Sequence, residues 1–428
     1  MRALHGQAAR SVREDRRAIT FIVLLGVVSL FADMTYEGAR SATGPFLLTL
    51  GASAGAVGVV AGLGEFVGYC VRLLSGLLTD RLGRYWVLTG VGYAVNLLAV
   101  PLLALAGRWE VAASLVVLER LGKAIRTPSR DVMLSFASSR VGRGFGFGLH
   151  EALDQVGGVV GPLLVAGALF AGDGYQRGFA ILVVPALLAL TTLTAARFIF
   201  PVPSRFEKEG ETGQVEARGP EAGAVDRAGE AGRSAPQARA AGMRSLSRRF
   251  WLYVGFSAAA TAGFAHFQLI SFHIKSLGLM SDPLIPVSFA VAMGVDALAA
   301  LAIGRIYDRV GLTAVLALPL GTIPATVLAF GGTAASAWAG LVVWGLVLGV
   351  QETIMRAAIA DLTPAAVRGT AYGVFHAAFG AAWFLGSTAM GFLYDVSIPA
   401  VIAFSVMAQV VAIVVLLALR REPGEPAY

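Results

Sequence analysis

The chain of 428 residues is 56% hydrophobic and only 14% charged, with a mean hydropathy of +0.71 and a formal net charge of +7. A soluble globular domain carries roughly 25% charged residues, so this composition excludes an ordinary soluble enzyme, and the deficit runs over nearly the whole length. The basic balance is explained by Lys and Arg gathering on cytoplasmic loops and not by nucleic acid, and the lone Cys70 leaves no intrachain disulfide and no cysteine metal site.

A membrane span needs about 20 predominantly apolar residues. The basic start (Arg10, Arg13, Arg16, Arg17) leads straight into the first apolar segment, which reads as a retained span and not as a cleaved signal. The pattern predicts about twelve spans. The first half holds 18–48, 56–78, 86–106, 111–125, 146–170 and 178–200; the second holds 251–272, 286–303, 313–330, 337–355, 370–393 and 399–419. The first is over-long and is expected to bend near Gly44 and Pro45. Between the halves, 201–250 is rich in Glu, Arg, Gly and Ala and lacks apolar periodicity, as expected of a flexible linker. The expected organisation is a tail at 1–17, a six-helix bundle at 18–200, the linker, a second six-helix bundle at 251–419 and a tail at 420–428.

Basic residues set the orientation. Arg10, Arg13, Arg16, Arg17, Arg81, Arg84, Arg126, Arg130, Arg140, Arg143, the linker, Arg305, Arg309, Arg368, Arg420 and Arg421 fall on one side. The other side holds little beyond Arg108, Arg177 and Lys275. The rich side is expected to be cytoplasmic, with both termini and the linker on it.

The halves repeat each other. Gly76 to Gly83 and Gly304 to Gly311 both read Gly-x-x-x-Asp-Arg-x-Gly, each after the second span of its half. Arg143-Gly144 precedes Gly148 as Arg368-Gly369 precedes Gly373. A tight turn alone would account for one copy; two at matching places point to internal duplication. Duplication is the plan of many secondary transporters, with the substrate site near mid-membrane between the repeats.

At these residues the chain resembles the major facilitator superfamily. The stretch from Gly76 to Arg84 is similar to that family's loop after the second helix. The resemblance implies that Asp80 and Arg84, and more weakly Asp308 and Arg309, hold the cytoplasmic helix ends together when the carrier faces outward. The second copy lacks the trailing Arg, since Leu312 follows Gly311. Gly148, Gly157, Gly161 and Pro162 fall at the spacings of the fifth-helix motif of drug–proton antiporters, with Val165-Ala166 where that motif has two glycines. Close glycine packing is the alternative reading of the same residues. The segment Glu119-Arg120-Leu121-Gly122-Lys123 resembles the family's basic motif on the fourth helix. The implied fold is all-α, about twelve transmembrane helices in two pseudo-symmetric six-helix bundles.

Charge in hydrocarbon costs about 2.5–3.5 kcal/mol per residue on insertion scales, so its placement is informative. The third, sixth, ninth and twelfth spans carry none in their apolar cores. The others carry Asp33 and Glu37, Glu65, Glu119 and Arg120, His150, Glu151 and Asp154, His266, Asp296, Glu352 and His376. Every third helix is thus expected to face lipid. Helical spacing puts Asp33, Glu37 and Arg40 on one face, and likewise Glu65 with Arg72, Glu119 with Lys123, Glu352 with Arg356, His266 with His273, and His150 with Asp154. Asp33, Glu37, Glu65 and Asp154 are the proton-carrier candidates, because two like charges on one face favour proton uptake by one. Arg40, Arg120, His150, Glu151, His266, Glu352 and His376 are the cavity candidates. Structural ion pairing is the competing reading for each.

No phosphate-cradling Gly-x4-Gly-Lys-Ser/Thr loop and no zinc spacing occurs, so no cofactor, no metal and no enzyme activity are expected. The expected function is a proton-coupled secondary transporter, working as a monomer by alternating access in the cell membrane. Its expected partners are the lipid bilayer, a small solute and protons, with export of an organic compound or drug as the favoured direction. A symporter or uniporter for a sugar, organic acid or other metabolite is the first alternative. A non-transporting membrane sensor or scaffold is the second.

Overall fold

A lipid solvent leaves backbone N–H and C=O groups no partner but each other, which restricts spanning segments to helices or closed barrels. The computed structural model describes residues 2–206, 246–363 and 367–422. Among them the chain forms fourteen α-helices and two short 3-10 turns, and no strand. The helices are α1 (Arg2–Thr49), α2 (Ala54–Leu82), α3 (Tyr85–Leu102), α4 (Trp109–Val141), α5 (Arg143–Phe170), α6 (Gly174–Ala180), α7 (Val183–Ile199), α8 (Arg248–Ala262), α9 (Phe267–Ser276), α10 (Leu284–Val310), α11 (Ala317–Ala329), α12 (Ala334–Leu362), α13 (Arg368–Val396) and α14 (Ile398–Arg421). The expected linker falls mostly on 207–245, outside the described residues.

Nine described segments are long and apolar enough to cross a membrane. Three additions complete twelve spans. The helix α4 carries too many charges to be recognised by apolarity alone, α8 and α9 are two pieces of a span broken at Gly263–His266, and the stretch 284–329 contains both α10 and α11. The helices α6 and α7 together make the sixth span. The face at which α2 ends and α3 begins is here the near face and the opposite one the far face.

Sequence explains where helices start and stop. Ser53, Ser247 and Ser397 each accept a hydrogen bond from the backbone N–H three residues on, capping α2, α8 and α14. Thr333 and Ser336 form a reciprocal capping box at α12. The repeated motif ends both α2 and α10 on a glycine with positive φ, +59° at Gly83 and +57° at Gly311, a conformation that L side chains resist. Its first glycines are equivalent too. A Cβ at Gly76 would lie 3.9 Å from Pro128 of α4, and one at Gly304 would lie 3.9 Å from Thr353 of α12.

Two glycine seams hold the interior. Along α1–α5, a Cβ at Gly157 would sit 2.2 Å from the Leu30 carbonyl oxygen, and one at Gly161 would sit 2.2 Å from that of Met34. Along α2–α13, Gly58 would meet the Ser387 carbonyl at 2.3 Å and Gly391 that of Ala54 at 2.6 Å. The second seam joins the two bundles at the far face, where Asp395 accepts hydrogen bonds from the N–H groups of Ala54 and Gly55 at 3.1 and 2.9 Å. That carboxylate caps the positive end of α2.

The spans expected to face lipid do carry exposed apolar stripes. They include Val87, Val91 and Leu98 on α3, Val184, Leu187 and Leu188 on α7, Leu320 and Val327 on α11, and Met407, Val410 and Val414 on α14. Three expectations are revised. The helix α1 is continuous through Pro45, and Gly44 serves close packing instead: its Cβ would lie 2.1 Å from the Gln268 carbonyl. The seventh span is broken. The fourth does not end at Ile125 but runs to Val141, where Arg140 pairs with Glu14 at 2.7 Å and Asp15 at 3.4 Å beside the start of the first span.

Candidate functional site

The unbroken part of α2 beyond the glycine seam, and the facing part of α13, border a cavity of about 230 Å³ between the bundles. One wall comes from α1, α2 and α4, with Glu37, Arg40, Glu65, Arg72, Arg120 and Lys123; the other comes from α12 and α13, with Gln351, Glu352, Phe375, His376, Phe379 and Trp383. At 1.5 Å rise per residue, Glu65 on α2 and Arg120 on α4 lie roughly 16 Å below the far-face ends of their helices, and Asp33 on α1 about 24 Å. In a ~30 Å hydrocarbon layer the first depth falls near the middle and the second on the near-face side of it.

One ion pair crosses between helices and two lie along a single helix. Glu65 Oε1 meets Arg120 Nη2 at 3.5 Å, and Arg120 Nε meets Glu119 Oε2 at 3.3 Å. Glu119 also accepts from Asn96 Nδ2 on α3 at 2.7 Å. Glu37 and Arg40 pair along α1 at 3.5 Å. Two cations of the cavity make neither ion pair nor hydrogen bond among the described residues. Arg72 lies 5.6 Å over the Tyr69 ring, and Lys123 Nζ lies 3.8 Å over the Tyr36 ring.

Asp33 is 7% exposed, and its Oδ1 has no hydrogen-bond partner among the described residues. It does not pair with Arg40, as same-face spacing suggested. The charges acting on it are Asp154, Lys123, Arg126 and Glu37. Its Cβ is the atom a side chain at Gly157 would strike, at 2.9 Å, so the seam holds it against α5. Asp154 Oδ1 is likewise buried without a partner. Asp296, 1% exposed on α10, has neither oxygen bonded.

The remaining sequence candidates separate into those that join this region and those that do not. His150 bonds Ser29 Oγ at 2.9 Å, and Arg130 donates to the same hydroxyl at 3.2 Å. His266, at the break between α8 and α9, stacks on Trp383 with centroids 4.7 Å apart and has both ring nitrogens unbonded. His273 points elsewhere, bonding Tyr394 at 3.0 Å and the Gly331 carbonyl at 3.2 Å. His376 stacks on Tyr69 at 5.4 Å in the cavity wall. Glu352 lines the cavity, but the side chain of Arg356 lies outside the described residues. Glu151 is exposed, outside the cavity, near Gln155 Nε2 at 3.5 Å. Gly157 and Gly161 pack against α1, whereas Gly148 faces open space and Pro162 sits inside α5. Asp80, Arg84, Asp308 and Arg309 are all exposed at the near face.

Three features escaped the sequence reading. Arg126, assigned to a loop, is 1% exposed, with its guanidinium 4.2 Å over Tyr93 and 5.8 Å from Tyr36. The spacing Glu119, Lys123, Arg126, Arg130 was the available signal, since steps of four, three and four make one helical face. Lys123 was read as the partner of Glu119 and not as a cavity cation. The aromatic stripe Phe375, Phe379, Trp383 at steps of four was also missed.

The chain matches the family profile described as Major Facilitator Superfamily over residues 23–356. An uncharacterized protein of Mycobacterium tuberculosis (strain ATCC 25618 / H37Rv) is 42% identical over 411 residues, 96% of this chain and 95% of that one. An uncharacterized MFS-type transporter of Methanocaldococcus jannaschii is 22% identical over 393 residues, 90% of each chain. Among solved structures, nucleoside transporter NupG aligns with a TM-score of 0.69 at 12% identity, over 94% of this chain and 100% of that one. A bacterial homolog to the human lysosomal transporter Spinster, in an inward-facing and unoccupied conformation, aligns with a TM-score of 0.68 at 15% identity, over 96% and 99%. At such identities the shared property is the fold.

Proposed function

The chain belongs to the Major Facilitator Superfamily, and from that premise we propose that this multi-pass membrane transporter moves a small solute by alternating access coupled to protons. The observation that carries the coupling is Asp33. It lies within the membrane on the near-face side of its middle, almost buried, with an unbonded carboxylate oxygen, in a region it shares with Asp154, Glu37, Lys123 and Arg126. Like charges in one low-dielectric region cannot all stay ionised without a cation for each. A carboxylate in that position can take a proton from one face and release it to the other. Glu37 and Glu65 are reserves, each already held by an Arg.

The near face is the cytoplasmic one on this reading, because it gathers the basic residues. The seam at Gly58 and Gly391 then seals the outside, and the cavity faces inward. Asp80, Arg84, Asp308 and Arg309 stand apart in this state and come together when the near face closes. Two directions remain compatible with the site. Exchange of an organic compound for protons is supported by the fifth-helix spacing of Gly148, Gly157, Gly161 and Pro162. Cotransport is supported by the two unpaired cations in the cavity. The plasma membrane as location and a monomer as working unit complete the proposal.

The test uses proteoliposomes with an imposed pH gradient and a panel of radiolabelled small acids, amines and neutral metabolites. Movement that follows the gradient is expected for at least one class, and its direction separates exchange from cotransport. Uptake or loss that ignores the gradient for every active solute sinks the coupling.

A further inference from the structure

The charges and rings of the central cavity are not evenly matched, and the mismatch describes what fits. Arg40 is answered by Glu37, and Arg120 by Glu65 and Glu119. Arg72 and Lys123 make no ion pair among the described residues and lie over ring faces, Lys123 within the longer-range field of Asp33 and Glu37. The Nε of Arg72 is buried without a partner, and Glu352 is the other carboxylate of the cavity wall. A cation taken out of water gains most from a carboxylate or phosphate oxygen in a charge-assisted hydrogen bond. Across from these two cations stands the aromatic stripe of α13. Tyr69 and His376 lie nearly parallel, as do His266 and Trp383, each pair at 15°. Phe379 abuts both Tyr69 and Trp383 edge-on, with centroids 5.3 and 5.1 Å away. Such a wall takes a flat, unsaturated body by stacking or edge contact.

Resting on the transporter reading above, we infer that the solute is a small organic anion with a planar ring: its acidic group engages Lys123 and Arg72, and its ring lies against Phe379 and Trp383. The cavity of about 230 Å³ falls below the roughly 300–1,000 Å³ of drug-sized sites, so one or two rings fill it. An organic cation would approach Arg72 and Lys123, neither held in an ion pair among the described residues, and is disfavoured there relative to an anion. A neutral sugar would leave both cations as they are. The inference therefore turns away from the lipophilic cations that an antiporter-like motif alone would suggest.

The test is equilibrium binding to the purified full chain in detergent, read by calorimetry, with four probes of similar size. They are 2-naphthoate, 1-naphthyl phosphate, the neutral 2-naphthamide and the cation 2-naphthylmethylammonium, with cyclohexanecarboxylate as the saturated, non-planar control. At least one naphthyl anion is expected to bind about ten-fold tighter than the amide, which corresponds to one charge-assisted contact. The carboxylate and phosphate arms tell which acid is preferred. The cation and the saturated acid are expected to bind more weakly than the amide and the best anion respectively. Lys123→Gln should remove the preference for the anion over the amide while leaving amide binding intact, and Lys123→Arg should restore it. The wild-type comparison of anion with amide stands even where a variant fails to fold. Equal or tighter binding of the cation or the amide overturns the inference, as does no binding by any naphthyl anion. Binding needs no gradient, so its failure leaves proton coupling untouched, and failure of coupling leaves the binding result standing.

Discussion

The two bundles share a scaffold and differ in what they enclose. Gly83 and Gly311 end equivalent helices, both with a positive φ, and Gly76 and Gly304 face equivalent neighbours at the same 3.9 Å. Yet the first bundle encloses Asp33, Glu37, Glu65, Glu119, Arg120, Lys123 and Arg126, while the second turns Phe375, Phe379 and Trp383 to the centre beside Glu352 and His376 and buries one carboxylate, Asp296. Duplication preserved the turns and the close approaches and let the interior diverge. Physical chemistry favours such a division. Buried charges are best tolerated where they answer one another; Glu37, Arg40, Glu65, Glu119 and Arg120 do so, while Asp33 and Asp154 keep a buried oxygen without a hydrogen bond.

Substitutions can break this comparison, and we take them from the largest expected effect to the smallest. Asp33→Asn is expected to reduce gradient-driven transport to background while solute binding survives. Transport with and without a pH gradient, normalised to folded protein, decides it; full gradient dependence in the variant would make the charges of the first bundle scaffold only. Gly157→Ala should cost stability, since its Cβ would lie 2.2 Å from the Leu30 carbonyl and overpacking costs typically about 1–3 kcal/mol. Thermal unfolding in detergent should show a lower midpoint, whereas Gly148→Ala, in open space, should not move it; equal behaviour of the two would dismiss the seam.

Trp383→Ala tests the other half. Loss of one aromatic contact is worth about 0.5–1.5 kcal/mol beyond area, so binding of a planar solute should weaken several-fold while the gradient dependence of the remaining transport is kept. Loss of that dependence would show that coupling is not confined to the first bundle. Asp395→Asn removes the charge from the cap of α2, a change of roughly 1 kcal/mol. Spin labels at Thr49 and Leu277, exposed on the far face of the two bundles, should report more separated pairs, on a Cys70→Ser background. An unchanged distance distribution would mean that the glycine seam alone holds that face shut. Asp80→Asn should leave folding and membrane level intact and slow turnover modestly; unchanged turnover removes Asp80 from the gate.

Much of the architecture could be read from the chain. Apolar runs of span length, the repeated Gly-x-x-x-Asp-Arg-x-Gly and the charge-free third, sixth, ninth and twelfth spans pointed to two six-helix halves. What could not be read was partnership. Spacing says which residues share a face of one helix, but the distance between helices is not in the spacing. Glu65 was placed with Arg72, seven residues on, and found Arg120 on α4 instead. Asp33 was placed with Arg40, and Arg40 pairs with Glu37. The length of α4 was missed for another reason. Apolarity stops at Ile125, and Arg126 and Arg130 look like loop residues until their step with Glu119 and Lys123 is counted. Rings give no contrast in a hydrophobic sequence, which hid the stripe on α13.

The two faces of the molecule also close by forces of different reach. At the far face the seal is backbone against backbone at Gly58 and Gly391, with one carboxylate seated on a helix end. Such contacts fade within an ångström, and dissolved ions do not reach them. At the near face Asp80, Arg84, Asp308 and Arg309 stand in solvent, where attraction is screened beyond about 8 Å at physiological ionic strength. If these four residues gate the near face as proposed, salt is expected to weaken the pull that closes it and leave the far face indifferent, so the resting balance between the two should drift toward this state as ionic strength rises.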